Sequence, residues 1–336
     1  MRSNILKTII IVFALVSFSQ CETEIDLLDD WQDIPVVYGL LNQEDDIHYI
    51  RINRAFLGEG NAIHMASDLD SIIYNPNDLD VVIKEYSGSN LIREIPLDTM
   101  MVHNVDSGVF SYPDQMIYRT TASSVKLSED YTYRLEIFNK KRNKYIESET
   151  NLIHNLSIKR PLAGQTLVNY TSKFPAEVIW RTAKNGRLYQ LSIRIFYSNY
   201  YNNGSSEQHT LNWNFPSRTA STLNGGEEMS MEVFGEQFYI FLENNIPQTN
   251  ASERTLDSVQ YIVSAANDNF NTYMKVNEPS NSIIQERPEF SNISNGIGLF
   301  ASRYYQTRTL LLNSDSQDSL VDGSHTRHLN FVKPIP

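Results

Sequence analysis

Residues 131–138 read YTYRLEIF. Tyr131, Tyr133, Leu135 and Ile137 fall on one side of an extended chain, and Thr132, Arg134 and Glu136 on the other. Successive side chains of a strand point to opposite faces, so this alternation predicts a half-buried β-strand. The polar KKRN that follows and the run 144–150 complete a hairpin. A second hairpin is predicted from 176–182, the turn KNG at 184–186, and 187–201, where Tyr189, Leu191, Ile193, Ile195 and Tyr197 share a face. Further strands are expected at 36–41, 47–56, 79–86, 256–264 and 297–312, all rich in β-branched and aromatic residues.

Helical spacing is rarer. EQFYIFLENN (236–245) sets Phe238, Phe241, Leu242 and Ile246 on one side and stops at Pro247. Residues 268–277 make a second short candidate, with Phe270, Tyr273 and Met274 together, and both read as core-facing caps on a sheet. The polar tail beyond Asn313 (SDSQDSLVDGSH) is expected to be loosely held, with NFVKPIP returning as an edge strand.

Pro161 and Gly164, in IKRPLAGQ, mark a change of character after one hairpin ends. The predicted architecture is therefore mainly β. An immunoglobulin-like β-sandwich spans 34–157, and a larger β-rich sandwich domain with two short inserted helices spans 158–336.

The N-terminus carries targeting information. Arg2 and Lys7 precede the apolar run IIIVFALV (9–16), the order of an export signal. That run is too short for a membrane helix, which needs about 20 apolar residues. Cys21, the single cysteine of 336 residues, lies directly behind it. A lone thiol there reads as the acceptor of a lipoprotein anchor, with 1–20 as the signal peptide and 21–33 as an acidic stalk. Ser17 and Ser19 also suit ordinary cleavage after Ser19, which leaves a chain beginning at Gln20. A lipoprotein cysteine carries at least two acyl chains, enough for stable anchoring.

Composition excludes several partners. The net charge is −12, and loss of Arg2 and Lys7 with the leader makes it −14. Such a chain repels phosphate backbones, so nucleic acid is not an expected partner. Histidines are scattered, and no HExxH, GxSxG, Walker or GxGxxG motif occurs. The Asp/Asn runs at 74–80 and 313–323 lack EF-hand spacing and read as solvated turns. No metal, cofactor or catalytic residue is predicted. A carboxylate pair of the glycosidase kind leaves no local sequence signal, so a hydrolase acting on polysaccharide or peptide stays an alternative.

One stretch points to recognition. YSNYYNNGSSEQHTLNWNF (197–215) sets Tyr200, Tyr201 and Trp213 among five asparagines. Flat aromatic faces beside amides suit a glycan or a peptide, and burial on the chain's own sheets is the competing explanation.

The order of segments resembles a known family. CETEIDL, PVVYGLLNQEDDIHYIRINRAFLG, YRLEIFNKKRNKYIESET, FGEQFYIFLENNIP and PEFSNISNGIGLFAS together resemble the Bacteroidota envelope lipoproteins catalogued as domain of unknown function 4249. Asn292, Gly296, Gly298 and Phe300 carry the most specific part. The resemblance implies a β-rich protein anchored through Cys21 at the outer membrane, on the cell surface, and associated with a TonB-dependent receptor. It implies no catalytic residues. The expected function is non-enzymatic ligand capture or docking on that transporter, with a structural or adhesive surface module as the alternative.

Overall fold

The computed structural model describes residues 32–57, 72–102, 115–171, 173–278 and 289–334. Cys21 and the expected signal peptide lie outside these residues, as does the expected stalk except Gln32 and Asp33, which belong to the first strand.

Seven strands build the first body: β1 (Gln32–Leu41), β2 (Tyr49–Leu57), β3 (Leu79–Ser87), β4 (Asn90–Val102), β5 (Gln115–Thr120), β6 (Thr132–Asn139) and β7 (Lys144–Asn151). Hydrogen bonding orders them β1-β2-β5-β4-β3-β6-β7. β4 serves two sheets: it pairs with β3 as far as Pro96 and with β5 from Leu97 onward. The path therefore folds into two layers, β1-β2-β5-β4 and β3-β6-β7, the strand order of an immunoglobulin sandwich. The alternating stretch 131–138 supplies β6, where Tyr133, Leu135 and Ile137 are buried. The Tyr133 hydroxyl accepts from Ser128 N (2.8 Å) and donates to Glu85 Oε2 (2.8 Å). This is a tyrosine corner, the device that pins the entry to the sixth strand of such sandwiches.

The second body holds β8 (Ser157–Arg160), β9 (Leu167–Val168), β10 (Ala176–Arg181), β11 (Leu188–Tyr200), β12 (Ser206–Asn214), β13 (Arg218–Thr219) and β14 (Glu228–Val233), then α1 (Gly235–Asn245), β15 (Glu253–Ala266), α2 (Asp268–Asn277), β16 (Ile297–Leu312) and α3 (Ser314–Asp322). The long strands run β12-β11-β15-β16, and β14-β10-β8 form a separate small sheet. Both line one core, in which Val178 and Trp180 of the small sheet meet Leu191, Ile193, Val259 and Val263 of the large one. Phe238 and Leu242 of α1 seal its side.

β16 joins the two bodies. Ile297–Ser302 pairs in parallel with β1, and Arg303–Leu310 pairs antiparallel with β15. Phe300 accordingly belongs to the first core, while Tyr304 and Leu310 belong to the second. A parallel approach this close needs small residues. A side chain on Gly39 would strike Ile50 and crowd Phe300, and Gly298 sits at φ +124° against the Val37 carbonyl. Polar contacts fasten the junction: Gln43 Nε2 to Ile153 O (2.8 Å), Ser302 Oγ to Asn151 O (2.7 Å) and Asn267 Nδ2 to Thr150 Oγ1 (2.8 Å).

Two sequence expectations are revised. The tail is not loose, because α3 is a third helix: Asn313 Oδ1 caps it at Ser316 N (3.1 Å), Leu320 is buried, and Ser316 Oγ accepts from Tyr170 N (2.8 Å). Phe331 does return to the sheet, in a parallel bridge with Arg254. α2 buries Asn271 rather than its apolar residues and packs on β16, leaving Met274 exposed. A narrow apolar stripe with polar neighbours caps an outer face as readily as a core.

Candidate functional site

The long hairpin places Tyr200, Tyr201 and Trp213 apart. Tyr200 ends β11 opposite Ser206, whereas Trp213 lies opposite Ile193 near the far end of β12. Seven residues of strand separate those pairs, roughly 24 Å at strand rise. The two side chains also face opposite ways. Ile193, Ile195 and Tyr197 point inward, so Trp213 shares the core face, while the even-numbered Tyr200 points outward and is 40% exposed. Trp213 stacks on Phe241 of α1, with centroids 5.2 Å apart and planes at 14°. Tyr201 caps the tip and donates from its hydroxyl to Glu207 Oε2 (2.8 Å). The three aromatics therefore form no common ligand platform, and Trp213 serves packing.

Beneath the tip is a buried polar network that sequence reading missed. Arg254 is 2% exposed. Its Nε donates to Asn199 Oδ1 (2.9 Å), its Nη2 to Thr249 Oγ1 (2.8 Å) and Pro247 O (3.2 Å), and its Nη1 to Leu329 O. With Asn199 Oδ1 held by arginine, Nδ2 of that amide donates to His209 Nε2 (3.0 Å). His209 in turn stacks on Tyr197 at 5.0 Å. Carbonyl dipoles and amides, instead of a carboxylate, solvate the guanidinium, an arrangement no local motif encodes.

A concavity lies elsewhere, beside the small sheet. It measures about 790 Å³, inside the range of small-ligand sites. Tyr261 and Leu310 of the long sheet form its floor, and Arg160, Glu177 and Glu232 part of its polar wall. The Arg160–Pro161 peptide is cis. Leu162 and Phe174 line it while remaining 66% and 81% exposed. Both therefore present apolar surface to solvent beside the cleft.

The site's electrostatics are uneven. Glu177 and Glu232 stand directly opposite on β10 and β14, a cross-strand arrangement that destabilises the sheet unless something offsets it. Arg160 Nη1 reaches Glu177 Oε2 at 3.2 Å, and no described cation pairs with Glu232. On the floor, the Tyr261 hydroxyl meets that of Tyr170 at 2.6 Å. Burial pushes both tyrosines well above their ordinary range, so each stays a neutral hydrogen-bonding group. Exposed apolar side chains beside a polar wall, with one carboxylate that no described cation pairs, suit a ligand that combines a flat apolar face with several donors. Among the described residues, no three histidine, cysteine or acidic side chains gather to hold a metal.

A smaller groove of about 300 Å³ lies on the outer face of the first sandwich, between Tyr38, Tyr49 and Arg51. Tyr38 and Tyr273 of α2 meet edge-on there, with hydroxyls 3.4 Å apart. That hydrogen bond, with burial, raises Tyr38 to about 12.

No protein-family model matches the chain, and no curated protein does. Among solved structures, a similar chain is the C-terminal globular domain of an oligosaccharyltransferase from Pyrococcus abyssi, at 10% identity. The match covers 84% of this chain and 48% of that one, about half its length, with a TM-score of 0.22. A likeness at that level says nothing about the activity of either protein's counterpart. No described helix is long and apolar enough to cross a membrane.

Proposed function

We propose that this chain is a non-enzymatic outer-membrane lipoprotein, anchored through Cys21, that captures a glycan or peptide at the cell surface as an accessory to a TonB-dependent receptor. The anchor and the receptor rest on the sequence: the apolar leader, the single cysteine behind it and the resemblance to lipoproteins of unknown function. Ligand capture rests on one observation, the 790 Å³ cleft whose rim carries the open side chains of Phe174 and Leu162. A sugar ring or peptide side chain stacks on the phenyl face, and its hydroxyl or amide groups meet Glu232 and Glu177.

Calorimetric titration of the purified chain with oligosaccharides and peptides tests the cleft. Binding that weakens about tenfold in Phe174→Ala, the loss expected for one stacked ring, supports this reading. A chain that binds neither class, and retains no envelope protein in pull-downs, refutes it. Fractionation of Cys21→Ser tests the anchor separately, since that variant should leave the membrane fraction. A structural module is favoured at one position only, Trp213, whose stacking on Phe241 is core packing.

A further inference from the structure

The long sheet ends in β12, an edge to which no described strand pairs. β12 runs nine residues, Ser206–Asn214, in unbroken register with β11. Phe215 N donates to Leu191 O (3.0 Å) and Tyr201 N to Ser205 O (3.0 Å), one pairing beyond each end of the ladder. In an antiparallel ladder, hydrogen-bonded and non-bonded pairs alternate. The odd-numbered residues from 205 to 215 therefore spend their backbone groups on β11. Ser206, Gln208, Thr210, Asn212 and Asn214 turn their N–H and C=O groups outward, and no described residue receives them.

Exposed edges of this length are normally blunted with lysine, proline, a bulge or a covering loop. β12 contains no Lys, Arg or Pro and pairs without a bulge. By contrast, the edges of the small sheet are short, six residues in β14 and four in β8, and β8 carries Lys159 and Arg160. Charge does not bar a second β12 from this edge either. Around a two-fold axis through Thr210, Thr210 faces its own copy, Gln208 faces Asn212 and Ser206 faces Asn214. On the other face Glu207 meets Trp213 and His209 meets Leu211, so no like charges oppose each other.

We infer that β12 is a self-association edge, where two copies of this chain join β12 to β12 antiparallel and make one continuous sheet. The Thr210 N–H is spent in the pairing and not in the monomer fold, which gives a clean test. Sedimentation velocity of the full chain in detergent, over a dilution series, should show a monomer–dimer equilibrium. Thr210→Pro removes an N–H that only the dimer uses, so association should fall at least about tenfold, the equivalent of one net hydrogen bond per copy, with the monomer's circular dichroism unchanged. Thr210→Lys, which sets ammonium groups against each other across the axis, should do the same without a backbone constraint. Leu211→Pro, which removes a donor used by β11, should instead lower the monomer's melting temperature. A wild-type chain that stays monomeric at every concentration overturns the inference. So does a folded Thr210→Lys variant that dimerises as tightly as wild type.

Discussion

The side chain of Asn292 closes a two-bond clamp on the backbone of Phe300: Nδ2 donates to Phe300 O at 2.7 Å, and Phe300 N donates to Oδ1 at 2.9 Å. The clamp sets Phe300, which is fully buried, into the first core at the point where β16 arrives from the second. It thereby fixes the register on which the union of the two bodies depends.

Asn292→Ala should lower stability by about 2 kcal/mol, because two backbone groups lose partners near a buried residue. Urea unfolding should show the midpoint falling. Asn292→Asp, which keeps the acceptor but loses the donor, should fall between wild type and Ala. A midpoint unchanged in the alanine variant contradicts the clamp.

Tyr133→Phe removes the hydroxyl that serves Ser128 N and Glu85. Glu85 is almost wholly buried and keeps Arg93 Nη2 at 2.8 Å, so the carboxylate loses one donor of two. A loss of about 1–3 kcal/mol is expected. Thermal denaturation measures it, and a neutral result shows that the corner holds the turn without stabilising it.

His48 should make the protein acid-sensitive. It is 2% exposed, its Nε2 lies 2.8 Å from Val125 O, and its Nδ1 has no partner. Burial lowers its pKa below the ordinary 6.5. The unfolded chain then binds the proton first, so stability is full above about pH 6.5 and declines as pH falls toward the folded value. His48→Gln should flatten that decline in urea midpoints measured between neutral and mildly acid pH. An equal slope in both proteins assigns the acid sensitivity to other groups.

Arg254→Met should cost about 2–4 kcal/mol, since it orphans the Leu329 and Pro247 carbonyls and frees Asn199. Arg254→Lys should rescue only part of this, because an ammonium cannot present the planar fork that reaches four acceptors. Full rescue by lysine shows that charge alone matters at this position.

Local chain geometry carried the strand pattern. Alternation in 131–138 and 187–201 needs only a few neighbouring residues, and these segments became β6 and β11 with the expected residues inward. α1 was legible for the same reason, its apolar spacing ending before Pro247. The proposed anchor at Cys21 and the expected export signal likewise rest on the sequence alone, because such a signal is read before any fold exists.

Pairing between distant segments decided the rest. Tyr200 and Trp213 looked like neighbours in the chain, yet strand parity and rise send them to opposite faces and opposite ends of a hairpin. The cleft gathers Arg160, Glu232 and Leu310, and the buried arginine gathers residues 199, 247 and 329. No local period encodes such gatherings. β16 shows the division most plainly: its residues announce a strand, but only packing assigns its first half to one core and its second half to the other.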